Sequence, residues 1–351
     1  MMLSVVIPAY NGEKHIGKAL ESLVNQTCQD FEVIIVDDGS IDQTSAVAET
    51  ILSQSQIENY KLLRQVNGGV SSARNAGLKA AAADYVVFLD ADDYVSSSLV
   101  ERVISVCSGK NPDMVCWGLD IVNETNISSS NFLDTFTALN EETSGPEVLK
   151  KIILEKSFWI WTGSAAYNRQ WLLRHNLLYT QGCANGEDQE FTYKFLSEAK
   201  SVRFISDVLA YYVQRAGSIS NSFDIKRFDF VNAMTRTGEY LNKLDRQDLN
   251  EVVGYITGEA IVNNYIFNYL SCLNNLIFES HFSKRKSIDY LNRELDIKYP
   301  EMREAVREHM DRYKGKNIIL KLKVRLFQTS LLAYCELGVM KKIIKKFLRR
   351  G

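Results

Sequence analysis

Tyr85-Val86-Val87-Phe88-Leu89-Asp90-Ala91-Asp92-Asp93 is an apolar run that ends in three carboxylates within four positions. A short, continuously apolar segment predicts a strand covered on both faces, as in a parallel sheet. Parallel α/β sheets bind ligands beyond the C-terminal ends of their strands, where these acids fall. Three acids so close together repel one another unless a cation sits among them. Hard oxygen ligands suit Mg²⁺ or Mn²⁺, and such an ion in turn holds a diphosphate. The competing reading is a helix N-cap before the helical pattern that starts at Ser96, but capping needs one acid rather than three.

Upstream, strand and helix patterns alternate. Val5–Pro8, Phe31–Val36 and Tyr60–Val66 read as strands, and His15–Val24, Ser45–Leu52 and Ser71–Ala82 as helices. Strands separated by helical segments imply right-handed βαβ units. The predicted fold is α/β, Rossmann-like, with a mostly parallel sheet flanked by helices. Downstream, Asp113–Trp117 and Val202–Val213 read as strands, Pro146–Ile153 and Asp188–Ala199 as helices, and the polar stretch Asn123–Asn140 as a loop or hairpin. After Asn221 apolar residues recur every three or four positions, as in Val252, Ile256, Ala260 and Ile261. The expected organisation is an α/β domain over 1–221, in halves 1–118 and 119–221, and a helical region over 222–351.

The composition is that of an ordinary globular chain, 46% hydrophobic and 24% charged. The net charge of −2 conceals an asymmetry, because 311–351 carries twelve Lys and Arg against two acids. The six cysteines form no C-x-x-C pair and no His cluster, so they read as free thiols in a reducing compartment. No signal peptide pattern precedes the first strand, and no apolar run approaches the ~20 residues of a membrane span. The expected location is cytoplasmic.

Two further strand ends fall on the edge that carries Asp90. Pro8-Ala9-Tyr10-Asn11-Gly12 lacks the glycine-rich G-x-G-x-x-G loop of a dinucleotide fold, which counts against a dehydrogenase. Val36-Asp37-Asp38-Gly39-Ser40 places an acid where a ribose hydroxyl or a base imide can donate to it, although Asp-Gly-Ser is also turn chemistry. Gly68 and Gly69, before Ser71-Ser72, suit a tight loop whose amides face an anion, and Arg74 falls one turn into the following helix.

Four segments in this order and spacing resemble the family 2 glycosyltransferases: SVVIPAYNG (4–12), FEVIIVDDGS (31–40), NGGVSSARNAGL (67–78) and YVVFLDADD (85–93). The resemblance implies the GT-A fold, a nucleotide-diphospho-sugar donor, UDP-linked, and a divalent cation held by a D-x-D element. Carried over by residue, it makes Asp38 the acid that reads the uracil ring and places Tyr10 where the base stacks. Pro8, Arg74 and Ala91 fall in the donor site. Asp90 contacts ribose or sugar, and Asp92 holds the metal, with Asp93 the alternative. The family also places an acidic pair before a helix about 100 residues beyond D-x-D. Glu187-Asp188 matches, with Asp188 as the base that deprotonates an acceptor hydroxyl and Glu187 in support. A looser match makes Arg215 a residue that closes over the diphosphate. Trp159, Trp161, Ser164 and Tyr167 offer an aromatic acceptor surface, with Trp161 the named candidate and core packing the alternative.

The last fifteen residues alternate apolar Met340, Ile343, Ile344, Phe347 and Leu348 with six Lys and Arg at helical spacing. That pattern predicts a helix lying on an anionic membrane surface, the alternative being an exposed terminal helix packed on the preceding one. The family resemblance implies the inner face of the membrane, where bacterial relatives extend lipid-linked saccharides. It lacks the base-reading motifs of a nucleic-acid binder. The expected function is inverting, metal-dependent sugar transfer to a hydroxyl of a lipid-linked or growing surface glycan. The alternatives are transfer to a polyprenyl phosphate, which needs no base, and a non-catalytic role in polysaccharide assembly.

Overall fold

The computed structural model describes residues 2–123, 128–131, 142–157, 159–214, 223–280, 282–313 and 317–329. It divides into two compact units, Met1–Arg215 with Lys243–Val252, and Ala216–Asn242 with Val253–Gly351. The first unit contains β1 (Leu3–Ala9), α1 (Ile16–Val24), β2 (Phe31–Asp37), α2 (Thr44–Ser53), β3 (Tyr60–Arg64), α3 (Val70–Ala80), β4 (Tyr85–Phe88) and β5 (Tyr94–Val95). It continues with α4 (Leu99–Cys107), β6 (Met114–Asn123), β7 (Ser128–Asn131), β8 (Glu142–Thr143), α5 (Gly145–Lys150), β9 (Ala165–Asn168), α6 (Arg169–Arg174), α7 (Glu187–Glu198) and β10 (Val202–Gln214).

Among the described residues ten strands form one sheet whose main path runs β3-β2-β1-β4-β9-β6-β10-β5. β1 pairs in parallel with β2 and with β4, and β2 in parallel with β3. β9 is antiparallel to both β4 and β6. Every residue of β1 and β2 is buried, as expected of strands with helices on both sides. From β1 the chain moves outward through β2 and β3, then returns to place β4 on the other side of β1. The strand order therefore reverses between β1 and β4, where open α/β sheets form their crevice.

Pro8 marks that opening. The residues of β1 alternate between neighbours: Tyr85 donates to Met2 O and Leu89 to Val6 O, while Asp38 donates to Ala9 O. Residue 8 falls among those that face β4, whose last paired residue is Phe88, so the amide that proline lacks lies at the very end of that ladder. On the face above, α3 approaches β1 so closely that a Cβ on Gly77 would lie 2.2 Å from Val6 Cγ1. Val6 is fully buried, and a β-branched side chain in a central strand has little freedom to move. Gly77→Ala is therefore expected to lower stability by about 1–2 kcal/mol, overpacking outweighing the gain in helix propensity. Urea unfolding checks this, and Val6→Ala in the same chain should restore most of the loss.

The second unit contains α8 (Asp229–Lys243), α10 (Ile261–Ser280), α11 (Lys284–Lys298), α12 (Met302–Arg312) and α13 (Ile318–Thr329), with α9 (Asn250–Tyr255) straddling the division. Its core includes Phe228, Tyr265, Tyr269, Leu291, Leu295 and Val306. The units do not part at a single point in the chain, because Lys243–Val252 belongs to the first. Leu249 and Val252 are fully buried, and Arg246 Nη1 donates to Ser197 O, at the end of α7, at 2.8 Å. Helical spacing alone reads this segment with its helical neighbours. The five described cysteines are free thiols. Among the described residues no helix is long and apolar enough to cross a membrane.

Candidate active site

The loops that follow β1 and β2 are laced together by side chains. Asn11 takes a left-handed conformation at φ 49°, which Asn tolerates better than most residues. Its amide donates to Ser40 Oγ at 2.9 Å, and its own Oδ1 accepts from the Ile41 amide at 3.0 Å. Gly12 N donates to Thr44 Oγ1 at 2.8 Å. Tyr10 stands out of this platform, 54% exposed, as a ring offered for stacking must be.

The two acids at the end of β2 have separate tasks. Asp37 accepts from Ser40 N at 2.8 Å and from Ser45 Oγ, which makes it the anchor of the turn. Burial pushes its carboxyl up, but those hydrogen bonds outweigh burial and hold it below the ordinary carboxylate range. Asp38 accepts from Gly68 N at 2.9 Å, Gly69 N at 2.8 Å and Gln65 Nε2 at 2.7 Å. The anion faced by the Gly68-Gly69 amides is therefore the Asp38 carboxylate itself. Among the described residues Oδ2 of Asp38 takes one hydrogen bond, from Gly69, and a carboxylate oxygen has acceptor capacity beyond one.

Arg74 is not a surface residue. It is 2% exposed, and its guanidinium bridges Asp90 Oδ1 at 2.7 Å and Glu187 Oε1 at 3.0 Å. The Tyr179 ring covers it, with its centroid 5.1 Å from Cζ, a cation–π contact. One buried cation thus joins the acid at the end of β4 to the first turn of α7, 113 residues apart from Arg74 to Glu187. Asn75, the next residue of α3, ties the same region down. Its side chain donates to Tyr179 O at 2.8 Å and accepts from Tyr179 N at 2.9 Å, pairing as a peptide group does. Tyr179 in turn stacks on Phe191 of α7 with centroids 4.1 Å apart.

Asp188 is not the cap of α7. Gly186 occupies the N-cap position at φ 83°, and Asp188 lies in the first turn, half-buried, accepting from the Gln189 amide at 2.8 Å. Burial raises the carboxyls of both acids. For Glu187 the neighbouring Asp188 charge adds to the rise; for Asp188 the Asp90 charge does; Arg74 opposes it at both. The raised direction suits a base that must hold a proton after taking it.

At the end of β4, Asp93 N donates to Asp90 O in a tight turn. Asp93 is buried, and its Oδ1 accepts from Val213 N of β10 at 2.9 Å, so part of its capacity fastens the turn to the sheet. Asp92 is half-buried, and the Asp90 side chain is 35% exposed. Ala91 faces Gly12, where a Cβ would approach the Ala91 Cβ at 4.0 Å. Among the described residues no three His, Cys, Asp or Glu side chains converge as a metal cage. Carboxylates such as Asp92 and Asp93, one or two to an ion with the remaining ligands from substrate oxygens and water, are the kind of donor that suits Mg²⁺ or Mn²⁺ at diphosphate sites.

Trp161 begins the short turn Thr162–Ser164, half-buried and pinned by Ser164. That turn lies against the end of β4: Trp117 Nε1 donates to Gly163 O at 3.1 Å, and a Cβ on Gly163 would meet Leu89 Cδ1 at 3.8 Å. Tyr167 and Ser164 are core residues rather than an acceptor surface, Tyr167 packing on Phe191 and Phe195, whereas Trp159 is 40% exposed. Arg215 and the basic segment 336–350 lie outside the described residues. Sequence reasoning misses Asn75 and Tyr179. An Asn inside a helix, where it is a poor former, is the signal for the first; a buried loop tyrosine carries none.

A reversed strand order with acids at two strand ends and at the start of a helix, and a buried arginine between two of these acidic groups, defines an α/β enzyme of the nucleotide-binding type. Residues 4–174 match the family model described as Glycosyl transferase family 2, and that part of the chain is a glycosyltransferase domain with the GT-A fold. The chain is 29% identical over 221 residues to the uncharacterized glycosyltransferase EpsJ of Bacillus subtilis, covering 62% of this chain and 63% of EpsJ. It is 28% identical over 237 residues to the poly(ribitol-phosphate) β-N-acetylglucosaminyltransferase TarS of Staphylococcus aureus, covering 67% of this chain and 39% of TarS. The chain thus spans less than two thirds of either relative. Among solved structures, TarS 1–349 in complex with UDP-GlcNAc superposes with TM-score 0.63 at 21% identity, covering 88% of this chain and 89% of that one. A mannosyltransferase from Pyrobaculum calidifontis in complex with GDP-Man and Mn²⁺ gives TM-score 0.53 at 14% identity, covering 90% and 87%.

Proposed function

We propose that this chain transfers a sugar, with inversion, from a UDP-linked donor to a hydroxyl of a lipid-linked or growing surface glycan. The observation that carries the reading is the Arg74 bridge, which joins the acid turn after β4 and the acidic start of α7 into one site. In this reading Tyr10 stacks on the base, Asp38 Oδ2 accepts from it, and Pro8 and Ala91 line the opening for the diphosphate. Asp90, oriented by Arg74, meets the ribose or sugar. Asp92, with Asp93 as the alternative, would hold Mn²⁺ or Mg²⁺, which when bound neutralises charge on the departing diphosphate. Asp188 takes the proton of the acceptor hydroxyl as that oxygen attacks the anomeric carbon, and Glu187 holds Arg74 in place. Trp161 and the neighbouring turn form the acceptor side, Arg215 closes on the diphosphate, and the basic segment 336–350 places the enzyme at the inner, anionic membrane face.

The test is a thermal-shift titration with UDP-sugars, with and without Mn²⁺. A ligand at 100 times its dissociation constant adds about 2.7 kcal/mol to stability. One UDP-sugar should raise the midpoint by several degrees in the presence of metal, and Asp92→Asn should remove the metal-dependent part of the shift. Equal midpoints with every nucleotide sugar, with or without metal, would overturn the reading.

A further inference from the structure

Helix α13 has two apolar faces, one buried and one exposed among the described residues. Leu320 and Val324 are buried, 1% and 5% exposed, and Phe327 packs edge-on against Tyr269 at 5.2 Å. Asn317 caps the helix, accepting from Leu320 N at 3.0 Å, and its own amide donates to Glu259 Oε2 at 3.3 Å. The helix is therefore seated on the second unit by its inner face. On its outer face Ile318, Ile319 and Leu322 are 79%, 68% and 58% exposed.

At about 100° per residue these three side chains and the half-buried Leu326 form one stripe, roughly opposite Leu320 and Val324. Lys321 and Arg325 border the stripe on one side and Lys323 on the other. No Asp or Glu occurs between Asp311 and Glu336, while that interval holds six Lys and Arg. Large apolar side chains set outward at helical spacing, flanked on both sides by cations without a compensating acid, match the water–lipid boundary. The apolar stripe enters the acyl region and the cations meet anionic headgroups.

We propose that the outer face of α13 docks the protein on an anionic phospholipid surface through Ile318, Ile319 and Leu322, with Lys321, Lys323 and Arg325 at the headgroups. This deepens the reading of a lipid-linked acceptor and takes its purpose from it. It adds a contact on α13 to the one proposed for the basic segment 336–350.

The test is flotation of the full chain with phosphatidylglycerol-containing vesicles and with pure phosphatidylcholine vesicles. The parent chain should float with the anionic vesicles and be released by salt. Ile318→Gln, Ile319→Gln and Leu322→Gln together should lower that partition by at least about tenfold, since three apolar anchors are lost. Thermal midpoint and nucleotide-sugar binding should stay unchanged, because none of the three side chains packs on the fold or lies in the active site. The proposal is overturned if the parent chain fails to float, if the triple variant floats equally well, or if the parent chain is a dimer without vesicles that the triple variant dissociates. Donor binding is read separately in the same samples. Floating without donor binding would leave the docking face standing and remove the transferase reading, and the converse would do the opposite.

Discussion

Asp188→Asn is expected to bind a UDP-sugar as tightly as the parent chain and to transfer it at least about a thousandfold more slowly, the range by which a positioned general base accelerates a reaction. The substitution keeps the shape of the side chain and its acceptor for the Gln189 amide, so the start of α7 should be undisturbed. A second consequence has the opposite sign. Burial, with the Asp90 charge adding, raises the folded-state pKa of Asp188 above its ordinary value. The folded chain therefore holds a proton more firmly than the unfolded chain, and stability from this group declines as pH rises from the ordinary carboxylate range through the raised value. Above that range the ionised side chain is a cost, which Asn removes. The variant should thus melt at a higher temperature than the parent at pH 8 while being inactive. For the parent, turnover should fall on the acid side at a pH above that of an unperturbed aspartate, and the residual activity of the variant should lack that limb. Full activity in the variant would sink the assignment. Transfer that survives in the variant and requires a lipid phosphate would instead favour a polyprenyl-phosphate acceptor, which arrives already ionised.

Arg74→Met should be the most destabilising single change in the site. The guanidinium is buried between Asp90 and Glu187, so its loss leaves Glu187 as an uncompensated charge in a desolvated place. Removing one partner of a buried pair typically costs 3–5 kcal/mol. Asp90 is partly exposed and keeps some solvation, so about 3 kcal/mol is expected, or a fall of roughly 6–12 °C in the midpoint. Adding Glu187→Gln removes the stranded charge and should recover about half of the loss, giving a coupling energy in a double-mutant cycle. Transfer should stay abolished in both chains, because Asp90 and α7 have lost the group that aligns them. Additive effects of the two substitutions would show that the bridge is not an energetic unit. An Arg74→Met loss below about 0.5 kcal/mol would mean that the arginine is solvated.

Asp90 and Asp188 are legible in the sequence because strand ends and helix starts leave patterns: an apolar run stopped by acids, and a Gly-Glu-Asp ahead of helical spacing. Arg74 is legible as a residue type but not as a role. A single arginine reads equally well as solvated, and only the fold brings Glu187 to it across 113 positions. The Gly68-Gly69 loop is legible as an anion cradle, yet the anion it holds is Asp38, a partner that local spacing does not reveal. Trp161 and Tyr167 read alike as aromatics of one stretch. Packing separates them, since Tyr167 is core and Trp161 lies on the turn against the end of β4. Residues 243–252 read with their helical neighbours because periodicity reports that a face is buried and not what buries it.

By itself the chain's order of residues determined the class of fold, the edge of the sheet that carries chemistry, and the acids placed there. Those are consequences of short-range rules: continuous apolar runs make buried parallel strands, and side chains that follow such strands emerge at one edge. Only the tertiary structure decided which acids remain available. Asp37 is consumed by its turn, Asp93 is partly consumed by Val213, and Asp90 and Glu187 are drawn to a shared arginine. Hydrogen-bond partners and desolvation depend on neighbours far apart in the chain, and these set whether a carboxylate is structural, poised as a base, or open to a ligand.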